Sequence, residues 1–261
     1  MAKEKASMDE LLIEEAEHLI DTARAEGMTI RLVGSIGFRE LCSEYQGVHR
    51  TVLEREIGDI DLIGYKSESD KIQSFFDEQG YEVDKDILLS GWGNRLVMYG
   101  KKGGQEYEVD IFLDEMNMCH KLDVSNRLET GPSNYGLNPS DLFLEKAQIV
   151  EINEKDLKDI LTLCLEFPVS TSDDEINKRY ISKRLAKDWG FYYTVTNNLT
   201  KAREYLRNID GLHEADTETV RHRLDELEQS IESTSKSIRW HLRSLVGTHW
   251  KWYSAVDKKH R

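Results

Sequence analysis

At 261 residues the chain is long enough for one large domain or two modest ones, and it can bury a core without disulfides or metals as staples. With 39% hydrophobic and 32% charged residues and no run approaching the roughly 20 apolar residues of a membrane helix, it is not expected to span a membrane. The net charge of −14 argues against a protein that coats nucleic acid non-specifically. Three isolated cysteines (Cys42, Cys119, Cys164), no Cys-x-x-Cys pair and no apolar signal region near the start point to a reducing, cytoplasmic setting.

The charge is unevenly spread. Residues 1–175 carry 18 Lys and Arg against 38 Asp and Glu, a net of −20, whereas residues 176–261 carry 17 against 11, a net of +6. Such a split suits a front half holding metal-binding carboxylates and a back half facing a polyanion, although two differently charged solvated surfaces would give the same count.

In chain order, Leu11, Leu12, Ala16, Leu19 and Ile20 recur at helical spacing, predicting a helix over 8–25 closed by Gly27. A β-branched strand over 29–33 ends at Gly34-Ser35 and leads into a helix over 36–45. Residues 46–57 have no clean period and read as a loop or short irregular insertion. The run Asp59-Ile60-Asp61-Leu62-Ile63-Gly64 alternates as a half-buried strand does, and a helix over 67–79 stops at Gly80. Strands follow at 81–84, 95–100 and 105–113, the last two joined as a hairpin through 101–104. From Pro139 the texture turns helical, with helices over 140–150, 154–166, 175–189, 191–207, 217–233 and 238–246, and Pro168 interrupts the series. The expected fold is α+β: a mixed sheet with helices in residues 1–138, then an α-helical domain in residues 139–261.

Gly34-Ser35 sits between a strand and a helix, where backbone N–H groups and the serine hydroxyl could receive a phosphate; an ordinary serine-capped turn looks the same. Asp59 and Asp61 stand two apart on a strand, so both carboxylates share one face while Ile60 and Leu62 take the other. Two adjacent carboxylates repel unless a cation joins them, and hard oxygen ligands select Mg²⁺ or Mn²⁺, although an Asp-x-Asp on a solvated strand is common. Asp110, flanked by Val109 and Ile111 on a later strand, is the natural third member; Glu108 has the same facing parity and is the fallback.

As an ordered set, Gly34-Ser35, Asp59-Ile60-Asp61 and Val109-Asp110-Ile111 resemble the signature of the nucleotidyltransferase superfamily, whose members share a palm with DNA polymerase beta. Gly34-Ser35-Ile36-Gly37-Phe38-Arg39, Asp141-Leu142 with Lys146, and the segment 154–159 are similar to the motifs of AbiEii-type nucleotidyltransferases, which include toxins of abortive-infection and toxin-antitoxin systems. The likeness covers roughly residues 30–165. The stretch between Ser35 and Asp59 is longer than in minimal members of the superfamily.

The resemblance implies a palm in which Asp59, Asp61 and Asp110 hold Mg²⁺ (or Mn²⁺) and an NTP. Gly34 and Ser35 would then seat its phosphates, and Arg39 and Lys146 would offset charge on them. The implied reaction moves a nucleoside monophosphate to a hydroxyl: an RNA end, tRNA being the family precedent, or else a small molecule of aminoglycoside type or a protein. A non-catalytic nucleotide-binding or partner module is the rival from another class, and the resemblance to toxin-type members implies a cognate antitoxin as companion.

Three features remain. Cys119-His120 lacks a second pair at zinc-ligand spacing. Trp189, Tyr192 and Tyr193 on a helical run suit a core better than a base-stacking platform. Lys236, Arg239, Arg243, Lys251, Lys258, Lys259 and Arg261 interleave with Trp240, Trp250, Trp252 and Tyr253, a mix suited either to phosphates and unstacked bases or to a helix packed through its tryptophans.

Overall fold

A computed structural model describes residues 8–84, 94–102 and 104–255. Five strands form one mixed sheet in the order β1-β2-β5-β4-β3: β1 Ile30–Val33, β2 Ile60–Gly64, β3 Glu82–Val83, β4 Arg95–Lys102 and β5 Gln105–Leu113. All neighbours are antiparallel except β2 and β5, which run parallel and pair Asp61 with Asp110 and Ile63 with Phe112.

Strand alternation sends side chains to two different cores. Leu32, Ile60, Leu62, Val109 and Ile111 face a cluster built with α1 (Met8–Ala25) and α3 (Ser69–Glu78). Val33, Ile63 and Phe112 face a second cluster that runs through α2 (Gly34–Leu41) into the helices of the back half. Asp61 and Asp110 share the parity of Ile63 and Phe112, so both carboxylates lie on the side that the back-half helices cover.

The back half comprises α4 (Pro139–Ala147), α5 (Glu154–Glu166), α6 (Lys178–Leu185), α7 (Trp189–Leu206), α8 (Glu214–Ser233) and α9 (Ile238–Val246), with β6 (Val169–Ser170) and β7 (Ile176–Asn177) as a two-stranded parallel pair. Every residue of α4 is buried, its polar ones included, so charges on this helix must find partners inside the protein. No helix of the described residues is long and apolar enough to cross a membrane.

Several boundaries differ from those expected. The helix expected over 36–45 runs from Gly34 to Leu41, because the amides of Glu44 and Tyr45 donate to the Glu166 carboxylate instead of prolonging it. Residues Val48–Val52 form one wide helical turn within the expected insertion. The helix expected over 175–189 shrinks to α6 and the one expected over 191–207 begins at Trp189, because Asn177 caps the Tyr180 amide at 3.0 Å and Asp188 caps Phe191 at 3.1 Å. The hairpin is tighter than a 101–104 turn: Lys102 pairs with Gln105, within reach of the Lys101–Glu106 ion pair at 3.0 Å. Pro139 does open the first back-half helix, yet the second core cluster continues across it from Val33 to Ile231.

Candidate functional site

The sheet brings two of the three expected aspartates into direct register. Asp61 and Asp110 are partners on adjacent parallel strands, and Asp59 precedes β2 by one residue, exposed, on the same side. Burial, and then Asp59 and Asp110, push the Asp61 carboxyl well above the usual carboxylate range. Burial likewise lifts the Asp110 carboxyl to about 6, with Glu108 and Asp59 adding to the rise and Arg95 opposing it. The charge of Asp59 thus reaches both of the other carboxyls.

Gly34 explains how they fit. Its φ of +60° is a left-handed conformation, and a Cβ there would lie 1.8 Å from Asp61 Oδ2, so only glycine allows α2 to begin against that carboxylate. The Gly34 N–H donates to Glu145 Oε2 at 3.2 Å. The start of α2 thus already holds an anion, supplied by α4. Next to it, the Ser35 hydroxyl is buried and has no hydrogen-bond partner among the described residues.

Lys146 is buried and lies 3.1 Å from Glu145 Oε1, 3.6 Å from Asp159 and 3.8 Å from Asp156. Burial alone would lower its pKa, but Glu145, Asp159, Asp156 and Asp61 outweigh that and raise it, so the ammonium keeps its charge. Asp159, fully buried, also accepts from Arg55 Nε at 3.1 Å, Arg55 Nη2 at 3.2 Å and His49 Nε2 at 3.1 Å. Burial would raise its pKa, but the His49 hydrogen bond and the charges of Lys146 and Arg55 hold it below the usual value. A ladder of alternating charge thus runs from the aspartates into the interior.

Arg39 is on the same helix as Ser35 but is otherwise engaged. Its Nη1 donates to Asp9 on α1 at 2.7 Å and its Nη2 to the Arg55 carbonyl, while Nε has no partner among the described residues. Asp141 is fully buried and accepts from Arg127 at 2.7 Å and from the Tyr180 hydroxyl at 2.7 Å, tying α4 to α6.

The site also contains residues that sequence reading did not single out. Arg95 on β4 grips Asp110 with both ends of its fork, Nε to Oδ1 at 2.6 Å and Nη2 to Oδ2. Glu145, Arg55 and His49 complete the charge ladder. The hairpin held a signal for Arg95: pairing Lys102 with Gln105 sets Val97 opposite Asp110 and Arg95 two residues along on the same face.

Among the described residues no group of three or more His, Cys, Asp or Glu side chains is arranged to hold a metal ion, and Asp110 is turned to Arg95 instead. The chemistry of the donors nonetheless fits a hard divalent cation: carboxylate oxygens on adjacent strands beside an unpartnered buried hydroxyl.

The Cys119-His120 pair is built into the packing. Cys119 Sγ accepts from the Val150 amide at 3.4 Å, and the His120 ring stacks on Phe191. Trp189 and Tyr193 stack on each other, Tyr192 meets Trp240 edge to face, and Tyr193 meets Trp252 the same way. In the basic segment Lys236 donates to the Ile231 and Thr234 carbonyls, and Arg243 lies over Trp189 while donating to Gly247 and Trp250. Arg239, Lys251 and Trp250 are exposed, as are the aliphatic residues Ile238, Leu242 and Leu245 along α9. Lys258, Lys259 and Arg261 lie outside the described residues.

Comparison with models of known protein families and with curated proteins finds no match to this chain.

Proposed function

We propose that the chain is a nucleotidyltransferase that moves a nucleoside monophosphate from an NTP to a hydroxyl acceptor, with the sheet serving as a palm of the polymerase-beta kind and residues 139–261 as its helical domain. The observation that carries this reading is the in-register pair Asp61 and Asp110 beside the glycine turn and orphaned hydroxyl of Gly34-Ser35. Bound Mg²⁺ or Mn²⁺ would be held by Asp59, Asp61 and Asp110 and would supply charge neutralisation at the phosphates and a more acidic acceptor hydroxyl.

The chain's own groups divide the remaining work. Ser35 offers its hydroxyl to a phosphate oxygen, in a turn already selected for an anion, as the Glu145 carboxylate on the Gly34 amide indicates. Lys146, fixed by Asp156 and Asp159, supplies a positive charge within electrostatic range of Asp61. Asp110, once Arg95 has let go of it, would take the acceptor proton on a carboxylate oxygen whose affinity for a proton is raised by burial. Arg39 contributes by anchoring α2 to α1 through Asp9.

An RNA end is the acceptor that the charge distribution favours. The segment 234–255 contains no Asp or Glu, and its exposed Arg239, Lys251 and Trp250 offer phosphate and stacking contacts. A protein companion of antitoxin type is favoured by one separate observation: the exposed face of α9 is aliphatic through Ile238, Leu242 and Leu245, which suits a protein surface better than bases.

Incubation with each labelled NTP, Mg²⁺ and total RNA tests the reading. Label should pass to RNA with the wild type, and Asp61→Ala should lower transfer on the order of 10⁴-fold, about 5 kcal/mol in the barrier. Label passing to protein or small molecules moves the acceptor; no transfer to any of them ends the proposal.

A further inference from the structure

Arg95 and Asp110 form a two-point ion pair on the floor of the site, and the Arg95 guanidinium lies 5.6 Å from the centre of the Phe112 ring. Asp110 is 5% exposed, so water has little access to its oxygens. A guanidinium that grips both oxygens of a carboxylate occupies one lone pair on each, and a cation arriving at the other two would meet the positive charge of Arg95. The ion pair and the metal therefore compete for the same atoms.

We propose that Arg95 changes partner when the site is loaded, releasing Asp110 to the divalent cation and taking up the polyphosphate of the incoming nucleotide. This rests on the nucleotidyltransferase reading. The planar fork that fits a carboxylate fits a phosphate equally well, and the polyphosphate is the anion that enters with the cation. Arg95 stands on β4 next to β5, so a change of side-chain rotamer suffices and the strand need not move. The exchange makes metal and nucleotide binding cooperative: the cation alone must displace Arg95 without giving it another anion, whereas cation and nucleotide together exchange one ion pair for another.

Mn²⁺ titration followed by electron paramagnetic resonance, alone and with a non-hydrolysable NTP analogue, tests this. In the wild type the analogue should tighten Mn²⁺ binding about tenfold, within the usual range of coupling between sites. Arg95→Met should bind Mn²⁺ alone more tightly than wild type, bind the analogue more weakly, and lose the coupling. Arg95→Lys keeps the charge without the fork and should show reduced coupling; it decides the matter should Arg95→Met fail to fold. Wild-type coupling that persists unchanged in both variants overturns the role of Arg95 and leaves the proposed function standing. A wild type that binds neither Mn²⁺ nor the analogue overturns both.

Discussion

The aspartate site and the basic tail handle charge in opposite ways. At the site each basic group is tied to an acid: Arg95 to Asp110, Lys146 to Glu145, Arg55 to Asp159 and Arg39 to Asp9. In the tail, Lys236 and Arg243 rest on rings and carbonyls, and no carboxylate follows Glu232 until Asp257. A cation held by an acid is neutralised until something displaces that acid, whereas a cation held by a ring or a carbonyl keeps its full charge for an outside anion. The first arrangement suits a site that changes partners when loaded, and the second a standing attraction for a polyanion.

The comparison breaks most readily at Asp159. Removing this carboxylate leaves Arg55, Lys146 and His49 buried around a missing charge, so Asp159→Ala should cost about 3–5 kcal/mol in a denaturant titration. A loss under 1 kcal/mol would mean that the ladder is not a buried ion network.

Acid should act on the tail's side of the molecule through His120. Its Nε2 lies 2.8 Å from Thr194 Oγ1, which also accepts from Trp252 Nε1 at 3.1 Å. Burial pushes the His120 pKa down to about 4, with Asp188 opposing. The unfolded chain binds a proton at this residue between pH 6.5 and 4 where the folded protein does not, so stability is lost as pH falls through that window, by about 3 kcal/mol. Thermal melts at pH 7 and pH 4.5 should differ less in His120→Gln than in wild type.

At the turn that positions the site, Gly34→Ala should cost about 2 kcal/mol or more, since it combines a left-handed backbone with a clash against Asp61. Paired melts of Gly34→Ala and Gly34→Ala/Asp61→Gly sharpen the point. The double variant should recover part of the loss, and no recovery would assign the cost to the backbone alone.

The smallest expected effects on stability lie in the tail. Leu242→Ser and Leu245→Ser should change stability by under about 0.5 kcal/mol, because both side chains already face solvent. Replacing Arg239 and Lys251 by Ala should flatten the salt dependence of RNA binding by roughly 0.7–0.9 in slope per lost phosphate contact. An unchanged slope would remove the polyanion from the tail.

How much of this was legible in the sequence depended on range. β1, β2 and β5 announce themselves by alternation and by Gly34-Ser35, and α1, α5 and α9 by their period, to within a residue at each end. The union of Asp61 with Asp110 needed the parallel register, which alternation alone does not fix. Glu145 stayed hidden because on α4 it reads as a solvent-facing acid, and only the burial of that helix on every side turns it toward the Gly34 amide. Asp156 shows the limit of a local signal: it closes a capping box with Asn153 and also faces Lys146.

The cluster that runs from Val33 to Ile231 bears on how the chain is made. On the ribosome, the back-half part of this cluster is completed last, when α8 brings Val220, Leu224, Leu227 and Ile231 onto α5, α6 and α7. At about 5–20 residues per second the apolar face of α5 waits roughly 3 to 13 s for α8, long enough for a chaperone to engage it before that helix closes over it.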